Sequence, residues 1–240
     1  GNVEHNSILV RYSNDFSIWD LESVNHYKDQ TDIFFTCHEF SYNKIAEAYE
    51  PYLGLIRQMF HKYCSGTLEE FMEECDVYKL QRPVFESYFE KGFCERTEQI
   101  LIDEVEYEQE RMRNSIVTML QKLSEIRPVV IVLNRFQLAS KSTMQLSNSL
   151  LQVKNKNIGI VLGVNDVQSI PEFAHEEWDA ICESMDDRNM VYHIGNAGRN
   201  MEPDVMDYYS DYESDDGYRK LNNLVYFLDF DQADHHLSKI

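Results

Sequence analysis

The amino-acid sequence predicts an α/β protein: a three-layer sandwich built on a five-stranded, mostly parallel sheet, followed by a C-terminal helical segment. Three observations predict it. Five short apolar runs of strand-like composition punctuate the chain, at residues 8–12, 33–37, 129–133, 158–164 and 190–194. Three of them are near-continuous rather than alternating, the pattern of strands buried on both faces of a parallel sheet. Helical periodicity fills the spaces between them, and strand–helix alternation places crossover helices on the faces of such a sheet.

Each element has its own justification. After the second strand, Pro51 suits the first turn of a helix, since its missing N–H is not needed there. Tyr52, Leu55, Met59 and Tyr63 follow at three- and four-residue steps. Residues 69–110 carry a large excess of acid over base and read as solvated helical faces, an insertion between the second and third strands. A longer stretch, 98–125, lines Leu101, Val105, Met112, Ile116, Met119 and Leu123 along one side. Ser140 precedes a helix over 142–153 carrying Met144, Leu146, Leu150 and Val153, and Trp178, Ile181 and Met185 mark another before the fifth strand. Residues 202–216, "EPDVMDYYSDYESDD", hold seven acids and no Lys or Arg, the composition of a self-repelling flexible loop or, as the second reading, of a docking strip for a basic partner. Helical spacing then resumes through Leu221, Leu224 and Phe227 or Leu228 and runs to the last residue. This divides the chain into an α/β domain over 2–196, an acidic linker over 197–217 and the start of a helical, repeat-like region over 218–240.

Charge excludes several functions. Asp and Glu number 42 against 22 for Lys and Arg, a net charge of −20. That field repels phosphate backbones and anionic lipid, so neither nucleic acid nor a membrane is expected as a partner. With 43% hydrophobic and 12% aromatic residues the chain can bury a sizeable core. No apolar run reaches the length of a bilayer span. The five cysteines, Cys37, Cys64, Cys75, Cys94 and Cys182, are odd in number and contain no C-x-x-C pair. They read as free thiols of a cytoplasmic protein rather than a disulfide frame or zinc site. His235 and His236 would point about 100° apart on a helix and read as a solvated pair.

The order "DIFFTCHEFSY", "EAYEPYLGLIRQMF", "RPVVIVLNRFQLASKSTMQLSNSLL" and "NIGIVLGVND" resembles the signal-transduction ATPases related to the AAA class, the STAND NTPases, over residues 7–196. In that group a strand and phosphate loop are followed by a second strand, an aromatic-Pro-aromatic helix start, a long helical stretch, a Pro-led strand ending in metal-binding acids, and a sensor strand. The resemblance implies a strand order 5-1-4-3-2, with strand 129–133 central or nearly so.

The group's chemistry is interrupted in this sequence. A phosphate loop needs glycines, so that backbone amides wrap the phosphates, and a Lys to meet their charge. Its position here, Ser13, Asn14, Asp15, Phe16 and Ser17, contains neither, and Asp15 and Asp20 add negative charge. At the metal-binding position Asn134 and Arg135 replace the acids, and an amide offers Mg²⁺ no charge. Asn165 keeps the polar, sensor-like end of the fourth strand. The resemblance therefore implies a degenerate NTPase domain without a cofactor or metal. Arg135 could offset some phosphate charge, so only weak, metal-independent ATP binding is left open.

Other chemistry has less support. Neither G-x-S-x-G nor G-x-G-x-x-G occurs, which disfavours a hydrolase elbow and a dinucleotide fold. "HIGNAGRN" (193–200) reads as a simple loop. Asp103–Glu104 and Asp186–Asp187 read as solvated acids, and Cys37 and His38, as neighbours on a strand, point to opposite faces. Two classes of function remain. The first is a non-catalytic ATPase-like module of a larger signalling or regulatory protein, contacting a protein partner or neighbouring domains of the same chain. The second is a nucleotide-binding or hydrolysing enzyme with an unorthodox site.

Overall fold

A computed structural model describes residues 7–12, 18, 30–41, 44–94, 105–165, 170–188, 190–194 and 215–238. Five strands, β1 (Ser7–Tyr12), β2 (Phe34–Glu39), β3 (Val129–Asn134), β4 (Ile158–Asn165) and β5 (Val191–Ile194), form one sheet in the order β2-β3-β4-β1-β5. Every pairing is parallel. This is the expected 5-1-4-3-2 order, seen from the other edge, and β3 lies beside the central strand β4. Three strands, β2, β3 and β4, end one or two residues beyond the expected apolar runs, because ladder pairing carries the polar residues Glu39, Asn134 and Asn165 at their carboxyl ends.

Alternation of side chains gives the sheet two faces. Leu9, Val129, Ile131, Leu133, Ile160 and Leu162 lie on one face, inside the main core. Val132 lies on the other and packs with Ile18, Phe35 and Val161. The main-core face is covered by helices, of which α1 (Tyr52–Tyr63) is typical. Tyr52, Leu53, Leu55, Ile56, Met59 and Phe60 are buried at one-, three- and four-residue steps, a full apolar stripe. Pro51 occupies the position just before the first turn.

The acidic region between β2 and β3 holds α2 (Leu68–Glu74), α3 (Arg82–Lys91) and α4 (Val105–Ile126). A capping box starts α2: Glu70 N–H donates to Thr67 Oγ1, and Thr67 N–H to the Glu70 carboxylate. Gly92 ends α3 with φ +81, a left-handed conformation that suits glycine. The outer faces of these helices are solvated as expected. Their inner faces are not an appendage, for Phe71, Met72, Val84, Phe85 and Phe89 all belong to the main core. The long helix is described from Val105, and Leu101 with residues 98–100 and 102–104 lies outside the described residues.

After β3 come α5 (Lys141–Gln152) and, beyond β4, α6 (His175–Asp186). Ser140 caps α5, its hydroxyl accepting from Thr143 N–H. Asp186 and Asp187 are exposed at the end of α6, while Asp103 and Glu104 lie outside the described residues. So do 195–200 of the 193–200 stretch and 202–214 of the loop expected at 202–216, whose last two residues, Asp215 and Asp216, are helical.

The C-terminal segment departs from expectation. Instead of one helix running to the last residue, α7 (Asp215–Tyr226) stops and α8 (Phe230–Leu237) begins afresh. Leu228 adopts a left-handed φ of 64° between them, and Asp229 caps α8 by accepting from Gln232 N–H. Helix α7 also starts inside the stretch expected as linker. The periodicity concealed this break because a capping Asp follows directly on the apolar residues.

These helices dock on the α/β body. Phe227 is buried against Tyr49, Phe85 and Tyr88, with centroids 6.1, 5.8 and 5.7 Å away. Asn223 accepts from Cys94 N–H and donates to Glu47. Asp229 is buried and accepts from Ser142 N–H at the start of α5 at 2.9 Å, where the helix dipole favours an anion. Burial pushes its carboxyl pKa up, and the donors from Ser142 and Gln232 pull the other way. Lys141 reaches Asp231 at 2.6 Å, and Gln109 donates to Leu228 O. The His235–His236 pair is not solvated: His236 is buried with its Nε2 2.9 Å from Gln232 Nε2, and His235 lies against the Phe173 ring.

Truncating Phe227 removes the ring on which three aromatic neighbours pack. Phe227→Ala should lower the unfolding free energy by about 3–5 kcal/mol, read from urea denaturation. Leu224→Asp, at another buried position, should also be strongly destabilising, because an unpaired carboxylate cannot be buried at low cost.

Candidate functional site

The carboxyl ends of the central strands are where open α/β sheets place ligands, and the polar residues singled out in the sequence gather there. Asn134 ends β3 and Asn165 ends β4, and Tyr12, at the end of β1, is in register with Asn165. All three are buried. The expected phosphate-loop residues Ser13, Asn14, Asp15, Phe16 and Ser17 lie outside the described residues, as does Asp20.

The centre of the site is a protein–protein hydrogen bond. Tyr12 Oη donates to Asn134 Oδ1 at 2.6 Å, crossing β4 from β1 to β3. The crossing is possible because β4 has no side chain at the intervening position, Gly163, which is in register with Val10. A Cβ at Gly163 would stand 2.5 Å from Ile18 Cδ1 and 2.9 Å from Asn134 Oδ1. Ile18 is itself fully buried against Val132. The Tyr12–Asn134 bridge is thus bordered by an aliphatic side chain contributed by the segment after β1. Burial pushes the Tyr12 phenol up to about 12; the Arg135 charge and backbone hydrogen bond oppose it only in part. The phenol stays protonated and serves as the donor.

Arg135 follows in a left-handed conformation, φ 53° and ψ 43°, which turns the chain sharply after the strand. Its Nε lies 3.4 Å from Glu39 Oε1, closing the site at the β2 side with a half-exposed ion pair. The next turn, Phe136–Leu138, buries Gln137, whose Oε1 accepts from Asn165 N–H at 3.3 Å. Asn134, Arg135 and Asn165 thus each take a polar partner at this end of the sheet, Tyr12, Glu39 and Gln137 respectively, and the three pairs form a polar layer.

Sequence reading missed Tyr12, Ile18, Gly163, Gln137 and Glu39. Gly163 carried a usable signal, since a glycine inside an apolar strand marks close approach of another group. Tyr12, a hydroxyl-bearing aromatic at the end of a buried strand, reads in the sequence only as the last apolar residue of its run.

Beside this layer His38 and Cys37 diverge as expected, Cys37 exposed and His38 facing Glu50. Burial, aided by Lys44, holds the His38 pKa down at about 4 against the ordinary 6.5. The 3.3 Å contact with Glu50 is therefore a neutral N–H donating to a carboxylate rather than an ion pair. All five cysteines are free thiols, and among the described residues no group of three or more His, Cys, Asp or Glu could hold a metal ion. No helix among them is long and apolar enough to cross a membrane.

Two outcomes check this geometry. Gly163→Ala should destabilise the fold by about 1–3 kcal/mol through overpacking, measured as a fall in the urea midpoint at constant slope. The His38 contribution follows from linkage: a depressed histidine pKa gives stability that is full above the unfolded value. It is lost as pH falls from about 6.5 to about 4, because the unfolded chain takes up the proton first. His38→Gln should remove that part of the acid limb when stability is measured across this window.

Comparison with known proteins found no matching family, no matching characterised sequence and no matching solved structure.

Proposed function

We propose that the chain is a non-catalytic, ATPase-like module of a larger signalling or regulatory protein. In this reading it works through contacts with a protein partner or with neighbouring domains of its own chain. The observation that carries the proposal is the Tyr12–Asn134 hydrogen bond at the carboxyl end of the sheet. The resemblance to NTPases places the metal-binding carboxylate at Asn134, where the residue would have to face Mg²⁺ and the terminal phosphates. Here the amide oxygen is committed to a phenol of the same sheet, with Ile18 packed beside it.

Charge supports the same reading. Productive phosphoryl transfer rests on positioning and on positive charge around the phosphates. Arg135, a cation at this edge, lies beside Glu39, and the whole chain carries −20. Bound triphosphate would have to break the Tyr12–Asn134 bond, and freeing a buried donor and acceptor costs about 1–3 kcal/mol per unsatisfied group.

Calorimetric titration with ATP and MgCl₂, alongside a phosphate-release assay, tests the proposal. Neither metal-dependent micromolar affinity nor turnover is expected, and Asn134→Asp alone should not create activity. Metal-dependent micromolar binding, or turnover abolished by Asn134→Ala, would instead establish an enzyme with an unorthodox site.

A further inference from the structure

The start of α4 and the turn between α2 and α3 build an exposed aromatic surface. Arg111 is held between two tyrosine rings, its guanidinium carbon 4.2 Å from the Tyr78 centroid and 4.3 Å from that of Tyr107. Its Nη2 also donates to Tyr107 Oη at 3.0 Å, and its Nη1 lies 3.9 Å from Glu108. From the buried side, Gln81 Nε2 donates to the backbone oxygen and the carboxylate of Glu108, at 3.0 and 2.9 Å. These bonds tie the turn to α4, so the stack is held from beneath. Yet its outer side is open: Tyr78 is 36% exposed, Tyr107 50%, and Leu80, two residues from Tyr78, 58%.

Single exposed apolar side chains are ordinary. Two tyrosine rings on an immobilised arginine, with an exposed leucine two residues along the chain from one of them, are a different matter, because Tyr and Arg dominate the energetics of protein interfaces. A rigid stack has also already lost the side-chain freedom that binding would otherwise have to remove. The charge around it identifies the occupant. Asp76, Glu106 and Glu110 are exposed next to these residues in the chain, and with Glu108 they outweigh Arg111 and Lys79. Aromatic rings with an arginine could also stack nucleic-acid bases, but this acidic rim repels phosphates.

We propose that Tyr78, Leu80, Tyr107 and Arg111 form a docking surface for a cationic, apolar segment of a partner protein, one in which Lys or Arg flanks aliphatic side chains. The aliphatic groups cover Leu80 and the outer ring faces, and the cations meet Asp76, Glu106 and Glu110. This deepens the contact-module reading by naming a surface and a partner chemistry. The two stand or fall separately: metal-dependent ATP binding would overturn the earlier reading alone, and loss of the surface would leave other contacts open to such a module.

The test is a titration of the whole chain, followed by amide chemical shifts, with a short synthetic peptide alternating Lys and Leu. Matched peptides alternating Lys with Gly and Glu with Leu, and oligothymidylate, are titrated in parallel. The Lys–Leu peptide should saturate, shift the amides of Tyr78, Leu80, Tyr107 and Arg111, and bind more weakly as salt is raised. Leu80→Ser and Tyr107→Ser should each weaken it about tenfold while leaving the urea midpoint nearly in place, since both side chains are exposed. Equal binding of the Lys–Gly peptide, shifts spread over the acidic surface, or unchanged affinity in both variants would overturn the proposal. So would preferential binding of the Glu–Leu peptide or oligothymidylate, or self-association of the chain through this patch.

Discussion

The rest of the structure depends on keeping β3 and β4 dry on both faces. Parallel strands satisfy their backbone groups through the ladder, but their side chains point alternately to two layers that must each be covered. Leu133, Ile131 and Leu162 face the main core, and Val132 faces the opposite side. One cover is made by helices from every part of the chain. On the other face, a described part of the cover is Ile18, contributed by the segment immediately after β1. That single placement brings an aliphatic side chain to the carboxyl end of the sheet, where a ligand would be expected in this architecture.

The polar layer follows from the same constraint. Tyr12, Asn134, Asn165 and Gln137 are buried and take protein partners, because an unpaired buried polar group is costly. Gly163 supplies the space for Tyr12 to reach Asn134, and Arg135 turns away toward Glu39. At its centre the phenol and the amide oxygen satisfy each other across the sheet.

The acidic helices and the terminal helices share the main core. Phe227 packs against Tyr49, Phe85 and Tyr88, and Asn223 and Asp229 carry polar links to Cys94, Glu47 and Ser142. A carboxylate at the amino end of α5 couples the terminal pair to the helix that directly follows β3 and its polar end. Because these helices share one core, Tyr107 on α4 and Tyr78 in the turn between α2 and α3 are displayed on a supported surface.

How much of this was legible follows from the range of the forces involved. Strand positions, the apolar stripe of α1, the Ser140 cap and the free cysteines were open to reading, since each depends on neighbours a few residues away. Sheet order entered only through the resemblance to NTPases, and the structure has that order. The break at Leu228 and Asp229 was hidden because a left-handed residue and a cap leave the apolar spacing nearly intact. The burial of His236, the inner faces of the acidic helices and the Tyr12–Asn134 bond were beyond the sequence, since each joins segments distant in the chain or depends on what packs above it. Composition and periodicity by themselves determined the α/β class, the acidic surface and the absence of a phosphate loop's glycines and lysine. Only the tertiary structure decided what fills the strand ends, because hydrogen-bond partners 122 residues apart are chosen by register and burial, neither of which local sequence encodes.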